Sequence, residues 1–150
     1  MSTISVPFES RYITATGSAT AITNIDFTAE DQTTGVPVGE LAKLKTQLER
    51  YASGQRITFD VMIDPKGTPF QRLVWQTMMK IPYGETWTYG QLAQAIGNPR
   101  ASRAVGQACH LNPCAPVVPC HRVVASNGLG GYYGGLDMKK HLLDFEKKGR

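Results

Sequence analysis

The sequence predicts an α/β chain: a small α/β unit over residues 1–64, then a mainly helical unit over residues 65–150 that carries a helix-turn-helix. Three observations predict it. Apolar residues alternate with polar ones in the first third, as in strands. A run of turn formers, "DPKGTP" at 64–69, breaks the pattern. Beyond it, apolar residues recur at helical spacing in short segments bounded by Pro, Gly and Asn.

In the first unit, Ile13 and Ala15, then Thr23, Ile25 and Phe27, alternate with polar neighbours. Two short strands joined by a Gly-containing turn account for them. Residues 28–39 read as a loop. "ELAKLKTQLERYASG" places Leu41, Leu44, Leu48 and Tyr51 on one helical stripe, with Gly54 as a stop. Ile57, Phe59, Val61 and Ile63 then alternate as a further strand.

In the second unit, Thr68 and Pro69 form a helix start, a hydroxyl N-cap followed by Pro at the first helical position. Phe70, Leu73, Val74, Thr77, Met78 and Ile81 follow at helical spacing, and Pro82 and Gly84 end the run. Thr88 and Gln91 form a capping box before a short helix that Gly97 stops. Asn98 caps a second helix, with Pro99 in its first turn, running to about Leu111. Two short helices joined by a tight turn are the helix-turn-helix pattern. The tail "LDMKKHLLDFEKKGR" reads as a closing amphipathic helix with Met138, Leu142 and Phe145 facing inward.

The chain has 150 residues and a formal net charge of +4. Many cations fall late: Arg100, Arg103, Arg122, Lys139, Lys140, Lys147, Lys148 and Arg150. Such a balance favours an anionic partner such as nucleic acid; solubility is the plainer account. The three cysteines, Cys109, Cys114 and Cys120, are an odd cluster and a poor disulfide framework. The start lacks a cationic segment followed by an apolar run, and no stretch approaches membrane-spanning length. The expectation is a cytoplasmic protein with free thiols and no membrane partner.

Two places carry candidate chemistry. On the helix from Asn98, Ala101, Val105, Ala108 and Cys109 share a core face, while Arg103, Gly106, Gln107 and His110 share the other. The second face is either merely solvated or a recognition surface. In the latter case Ser102 and Gly106 let the backbone approach DNA and Arg103 reaches a groove or the base stack. The other place is "VVPCHRVV" at 117–124. Three readings of Cys120 stand: a small packed hydrophobe, a zinc ligand with Cys109, His110, Cys114 and His121, or a nucleophile. The zinc set has irregular spacing. The nucleophile needs a base, because a free thiol is mostly protonated at neutral pH. His121 is adjacent, but neighbours on an extended strand face opposite ways, so the reading requires a turn at Pro119 or a bridging water. Glu146, near a helix C-terminus where the macrodipole disfavours a carboxylate, is the candidate to orient the imidazole.

"PCHRVV" at 119–124, with "NP" at 112–113, "RAVGQA" at 103–108, "TPFQRLVW" at 68–75, "IPYGETWTYGQLA" at 81–93 and "NGLGGYYGGLDMKKHLLDFE" at 127–146, resembles the O6-alkylguanine-DNA alkyltransferases, the methylated-DNA–protein-cysteine methyltransferases. The resemblance covers nearly all of residues 68–146. It implies an RNase H-like N-terminal subdomain and a winged-helix-like C-terminal domain. It implies irreversible, single-use transfer of an alkyl group from O6 of guanine in double-stranded DNA to Cys120, by a monomer without cofactor or metal. His121 would take the thiol proton through a water, Glu146 would hold the imidazole, and Asn112 would brace the turn before the active segment. Arg103 would fill the gap left by the flipped nucleotide, with Ala101, Ser102, Gly106 and Gln107 on the DNA face. Tyr89 would crowd the adjacent phosphate and protonate the departing guanine. Pro119, Val123, Val124, Tyr132 and Tyr133 would form the pocket. A thiolate cannot reach O6 in a stacked duplex, so such chemistry requires base flipping, which costs a few kcal/mol. A lesion-sensing DNA-binding protein without transfer is the alternative.

The sequence departs from the family pattern at Tyr133, where many members have a serine, and at Ala115, where a proline often sits. The N-terminal unit has no Cys or His and so cannot hold the structural zinc of some members. Cys120 stands where the related non-catalytic proteins have tryptophan.

Overall fold

The computed structural model of the protein describes residues 1–132 and 135–149. The chain forms two compact units, Met1–Lys66 and Gly67–Gly149.

The first unit is an antiparallel three-stranded sheet, in order β1 (Ser2–Phe8), β2 (Arg11–Gly17), β3 (Ile22–Thr28), and one helix, α1 (Gly39–Ala52). Three strands stand where two were expected. The extra strand, β1, buries Ile4, Val6 and Phe8. It escapes the usual signals because its hairpin turns on Glu9 and Ser10, with Glu9 at φ 57°, rather than on Gly or Asn. Pro7 fits because β1 is an edge strand. α1 has the expected stripe, burying Leu41, Leu44, Leu48 and Tyr51. The expected strand at 57–63 does not form: among the described residues it makes one bridge, Ile63 to Ile22. Its alternation is real, since Phe59 and Val61 are buried, but it lacks a ladder partner. Tyr51 links the apolar layer, its ring centroid 6.0 Å from Phe8 and 5.6 Å from Phe59.

The second unit comprises α2 (Pro69–Met78), β4 (Trp87–Thr88), α3 (Tyr89–Ala95), α4 (Ser102–His110), β5 (Val123–Val124) and α5 (Leu136–Lys147). Thr68 and Gln71 close a full capping box at α2, and Thr88 and Gln91 do the same at α3. α2 ends at Met78, a turn earlier than the apolar spacing suggests. Its central contact is Trp75, buried, whose indole N–H donates to the Ala108 carbonyl of α4 at 2.8 Å. Gly97, at φ 83°, ends the α3 segment. Asn98 does not cap α4: Asn98 to Ala101 form a turn closed by Ala101 N–H to Asn98 C=O, and α4 starts at Ser102. Pro99 therefore sits in that turn rather than in a helix.

α5 is rotated from expectation. Its fully inward residues are Lys139, Leu142 and Glu146, while Met138 and Phe145 are only half-buried. The hydrophobic stripe runs through Met138, Leu142 and Phe145, and polar contacts inside the fold turn the helix by one residue so that two charges point inward.

Among the described residues, no helix is long and apolar enough to cross a membrane.

Candidate active site

The segment between α4 and β5 is shaped by Asn112. Its side-chain amide donates to the Val118 carbonyl at 2.7 Å, and its oxygen accepts from Cys114 N–H at 2.9 Å. Residues 114–123 are buried. Pro119 (φ −85°, ψ 64°) makes an inverse γ-turn, with Cys120 N–H donating to Val118 C=O at 2.9 Å. A single 3-10 turn, Cys120–Arg122, follows. The Cys-His pair is thus taken out of the extended geometry that would set the two side chains on opposite faces. The chain then enters β5, which pairs in parallel with β4: Trp87 with Val123 and Thr88 with Val124. Tyr89 follows Thr88 directly, so this pairing sets the first residue of α3 against the end of the Cys-His-Arg turn.

Glu146 is not an exposed helix carboxylate. It is 2 % exposed, and its Oε2 lies 2.6 Å from His121 Nε2. Arg122 grips it from the other side, Nε to Oε1 at 2.7 Å and Nη2 to Oε2 at 3.0 Å, while Nη1 donates to the Ile81 carbonyl. Burial alone would raise the Glu146 carboxyl, but His121 and Arg122 outweigh it and hold the group well below the ordinary carboxylate range. For His121 burial wins: desolvation lowers the imidazole despite Glu146. The pair is therefore a neutral imidazole beside an ionised carboxylate whose permanent countercharge is Arg122. The Nε2 proton then points to Glu146, leaving Nδ1 a bare lone pair, and Nδ1 is buried with no partner among the described residues.

Cys120 is buried, and its thiol is pushed up to about 11 by desolvation, against the pull of Asn112, Lys139 and Tyr132. At neutral pH it is a thiol and needs a base. It opens into a pocket of about 150 Å³ lined by Tyr89, Gly106, Cys109, His110, Gly131 and Tyr132. Tyr89 is half-buried, and burial raises its hydroxyl, with charge on Cys109 or Cys120 adding, so it remains a proton donor. The tyrosine packs closely on the pocket loop: a Cβ at Gly130 (φ 73°) would fall 2.8 Å from its ring.

Outside this pocket runs an open groove of about 700 Å³ along α4, lined by Tyr89, Ser102, Arg103, Gly106, Gln107, His110 and Leu111. Arg103 and Gln107 are exposed. Tyr89, Gly106 and His110 belong to both, so the pocket opens from the groove.

The structure thus brings Cys120, His121, Glu146 and Asn112 into one buried assembly, with Tyr89 and Tyr132 at its pocket. Other expected residues fall elsewhere. Ala101 precedes α4 at its N-cap and lies outside the groove lining. Pro119, Val123 and Val124 do not line the Cys120 pocket. The Val123 carbonyl accepts from Lys139 Nζ at 2.5 Å. Tyr133 lies outside the described residues. Among the described residues, no three His, Cys, Asp or Glu side chains converge to hold a metal ion, and the Cys109 thiol instead meets Met78 Sδ at 3.5 Å.

Two site residues escape sequence reasoning. Arg122 reads as one surface cation among many until Glu146 is buried beside it. Lys139 is fully buried, donating to the Val123 and Gly131 carbonyls with its ammonium 5.8 Å from the Tyr89 ring centroid. It ties the strand after the Cys-His-Arg turn to the pocket loop. The available signal was its spacing, three residues before Leu142 and seven before Glu146.

The profile described as "6-O-methylguanine DNA methyltransferase, DNA binding domain" matches residues 69–148. A methylated-DNA–protein-cysteine methyltransferase of Methanosarcina acetivorans is 56% identical over 101 residues, 67% of this chain and 65% of that protein. The protein of that name from Mycolicibacterium paratuberculosis is 44% identical over 91% of this chain and 86% of its own. Thus the match to the first spans just under two thirds of that relative's length. Among solved structures, Mycobacterium tuberculosis O6-methylguanine methyltransferase superposes with a TM-score of 0.81 at 39% identity, covering 97% of this chain and 92% of that one. Mycobacterium tuberculosis OGT in complex with DNA superposes at 0.82 with 38% identity over the same shares.

Proposed function

This chain belongs to the 6-O-methylguanine DNA methyltransferase family, and on that premise we propose that it repairs O6-alkylguanine in double-stranded DNA by irreversible transfer of the alkyl group to Cys120. The observation that carries the reading is the polarity of the His121–Glu146 pair. With the Nε2 proton committed to Glu146, Nδ1 is a base buried beside the Cys120 segment.

The thiol proton passes to Nδ1 through a bridging water. The Cys120 thiolate attacks the alkyl carbon in line, the S–C bond forms as the O6–C bond breaks, and the Tyr89 hydroxyl protonates the departing guanine. The imidazolium formed is stabilised by the Glu146 carboxylate, which Arg122 keeps ionised. The thioether does not revert, so each molecule acts once. Asn112 acts by holding the segment that carries Cys120.

The groove along α4 is the DNA face. Small residues, Ser102 and Gly106, allow close approach, Arg103 wedges into the stack from the minor groove, and Gln107 and Ala101 flank it. Tyr89, shared by groove and pocket, turns the nucleotide inward past Tyr132. The neighbour solved in complex with DNA supports DNA as the partner. In this reading residues 65–150 are a winged-helix-like transfer domain, residues 1–64 an RNase H-like accessory domain, and the protein works as a cytoplasmic monomer.

The test is intact mass after mixing with a duplex containing O6-methylguanine. One methyl is gained on Cys120, and Cys120→Ser gains none while still binding DNA. Lesion-preferring binding without mass gain would identify a sensor instead, and label on Cys109 or Cys114 would reassign the acceptor.

A further inference from the structure

The Cys120 pocket contains a second thiol. Cys109, on the inner face of α4, lines the same cavity of about 150 Å³. Resting on the alkyl-transfer reading, we propose that Cys109 is placed to capture the far end of a bifunctional adduct and close a covalent bridge to Cys120.

The surroundings favour this. Two of the other lining residues, Gly106 and Gly131, have no side chain, so no bulk from either intrudes on the cavity. The walls are the rings of Tyr89 and Tyr132, which confine whatever Cys120 receives. Cys109 is 5% exposed and its thiol rests on the soft Met78 sulfur, a contact easily given up. The two thiols also sense each other: charge on Cys120 raises Cys109, which burial in the first place pushes up to about 12. Both thiols are protonated at rest, and Cys120 takes the first transfer because the buried, unpartnered His121 Nδ1 lies beside its segment.

A 2-chloroethyl lesion shows the second step. Transfer leaves Cys120 as an S–CH2CH2–Cl thioether. Its sulfur displaces chloride to give a three-membered episulfonium ion. The Cys109 sulfur opens the ring: one ring S–C bond breaks, a new S–C bond forms, and the thiol proton passes to His110, which lines the same pocket. The sum is loss of HCl and a Cys109–CH2CH2–Cys120 bridge. A protonated thiol suffices against so reactive an electrophile held beside it, because effective molarities of oriented groups reach roughly 10⁵ M or more. The outcome is that the reactive arm is consumed inside the protein rather than by the DNA in the groove.

The full chain is mixed with two duplexes, one carrying O6-methylguanine and one freshly prepared O6-(2-chloroethyl)guanine. The expected result is a methyl gain from the first and, from the second, a mass gain equal to an ethylene bridge with HCl lost. Cys109, Cys114 and Cys120 share the tryptic peptide 104–122, so the bridged product gives no backbone fragments between positions 109 and 120. Among alkylated molecules of Cys109→Ser, the bridge is absent and Cys120 carries chloroethyl or hydroxyethyl. Cys114→Ser still bridges. Methyl gain together with an open adduct on Cys120 and a Cys109 that iodoacetamide labels after unfolding overturns the bridge alone. No gain from either duplex overturns the transfer reading and the bridge with it.

Discussion

The imidazole of His121 and the carboxylate of Glu146 meet at 2.6 Å with neither side chain exposed to solvent. The two charges of an ion pair are not both present there. Arg122 satisfies the carboxylate, and burial keeps the imidazole neutral. The arrangement stores a base rather than a salt bridge, and its consequences are measurable.

The first consequence is pH dependence. A neutral buried histidine has its folded value below the unfolded one, near ~6.5. Stability is then fully present above that pH and falls as pH drops through it, since the unfolded chain binds the proton first. Glu146, also depressed, adds a second loss as pH falls below about 4.3. Urea unfolding followed from neutral pH down to well below about 4.3 should show both declines, and His121→Gln should lack the first. The transfer rate should be flat through neutrality and fall only on the acid side. Glu146→Gln leaves the Arg122 guanidinium buried without its countercharge and should cost about 3–5 kcal/mol.

Lys139 should matter to the thiol as well as to the fold. Its charge pulls the Cys120 thiol down, and its two carbonyl bonds join β5 to the pocket loop. Lys139→Met should lower stability by roughly 2–4 kcal/mol, from charge-assisted bonds lost, and slow transfer about tenfold or more. A structural role alone would leave the pH profile of Cys120 labelling by iodoacetamide in place. The expected profile moves upward, and Lys139→Arg should restore part of it.

Arg103 is exposed on α4 and lines the groove without touching the thiol pocket. As a wedge it stabilises the extrahelical state, so Arg103→Ala should slow repair of duplex by about tenfold or more, since unstacking costs a few kcal/mol. Reaction with free O6-alkylguanine base should be unchanged. Equal loss on both substrates would remove Arg103 from the wedge role. Binding of duplex should weaken with salt for both proteins.

Trp75 holds α2 to α4 through the Ala108 carbonyl. Trp75→Phe leaves that buried carbonyl unsatisfied and opens a small void. A loss of about 1–3 kcal/mol is expected for the orphaned acceptor, with more for the void, read as a lower Tm with an unchanged transfer mechanism.

The sequence by itself determined the parts whose causes are local. Thr68-Pro69 and Thr88-x-x-Gln91 start helices because their hydroxyls cap within one turn, and Gly97 stops one because of its positive φ. The Leu41-Leu44-Leu48-Tyr51 stripe fixed the buried face of α1 in the same way. "PCHRVV", with the α3–α4 pair before it, nominated Cys120 and His121, and an acid at an unfavourable helix C-terminus nominated Glu146. Tertiary structure decided everything that depends on a partner far along the chain. The alternating run at 57–63 has the strand pattern, but a strand needs a neighbour, and among the described residues only Ile22 bridges to it. α5 has one apolar stripe, Met138, Leu142 and Phe145, yet the carbonyls of Val123 and Gly131 together with Arg122 turn inward the adjoining face that carries Lys139 and Glu146. No local rule shows that a lysine and a glutamate will be inside. A buried charge is tolerable only when distant groups satisfy it, and folding alone brings those groups together.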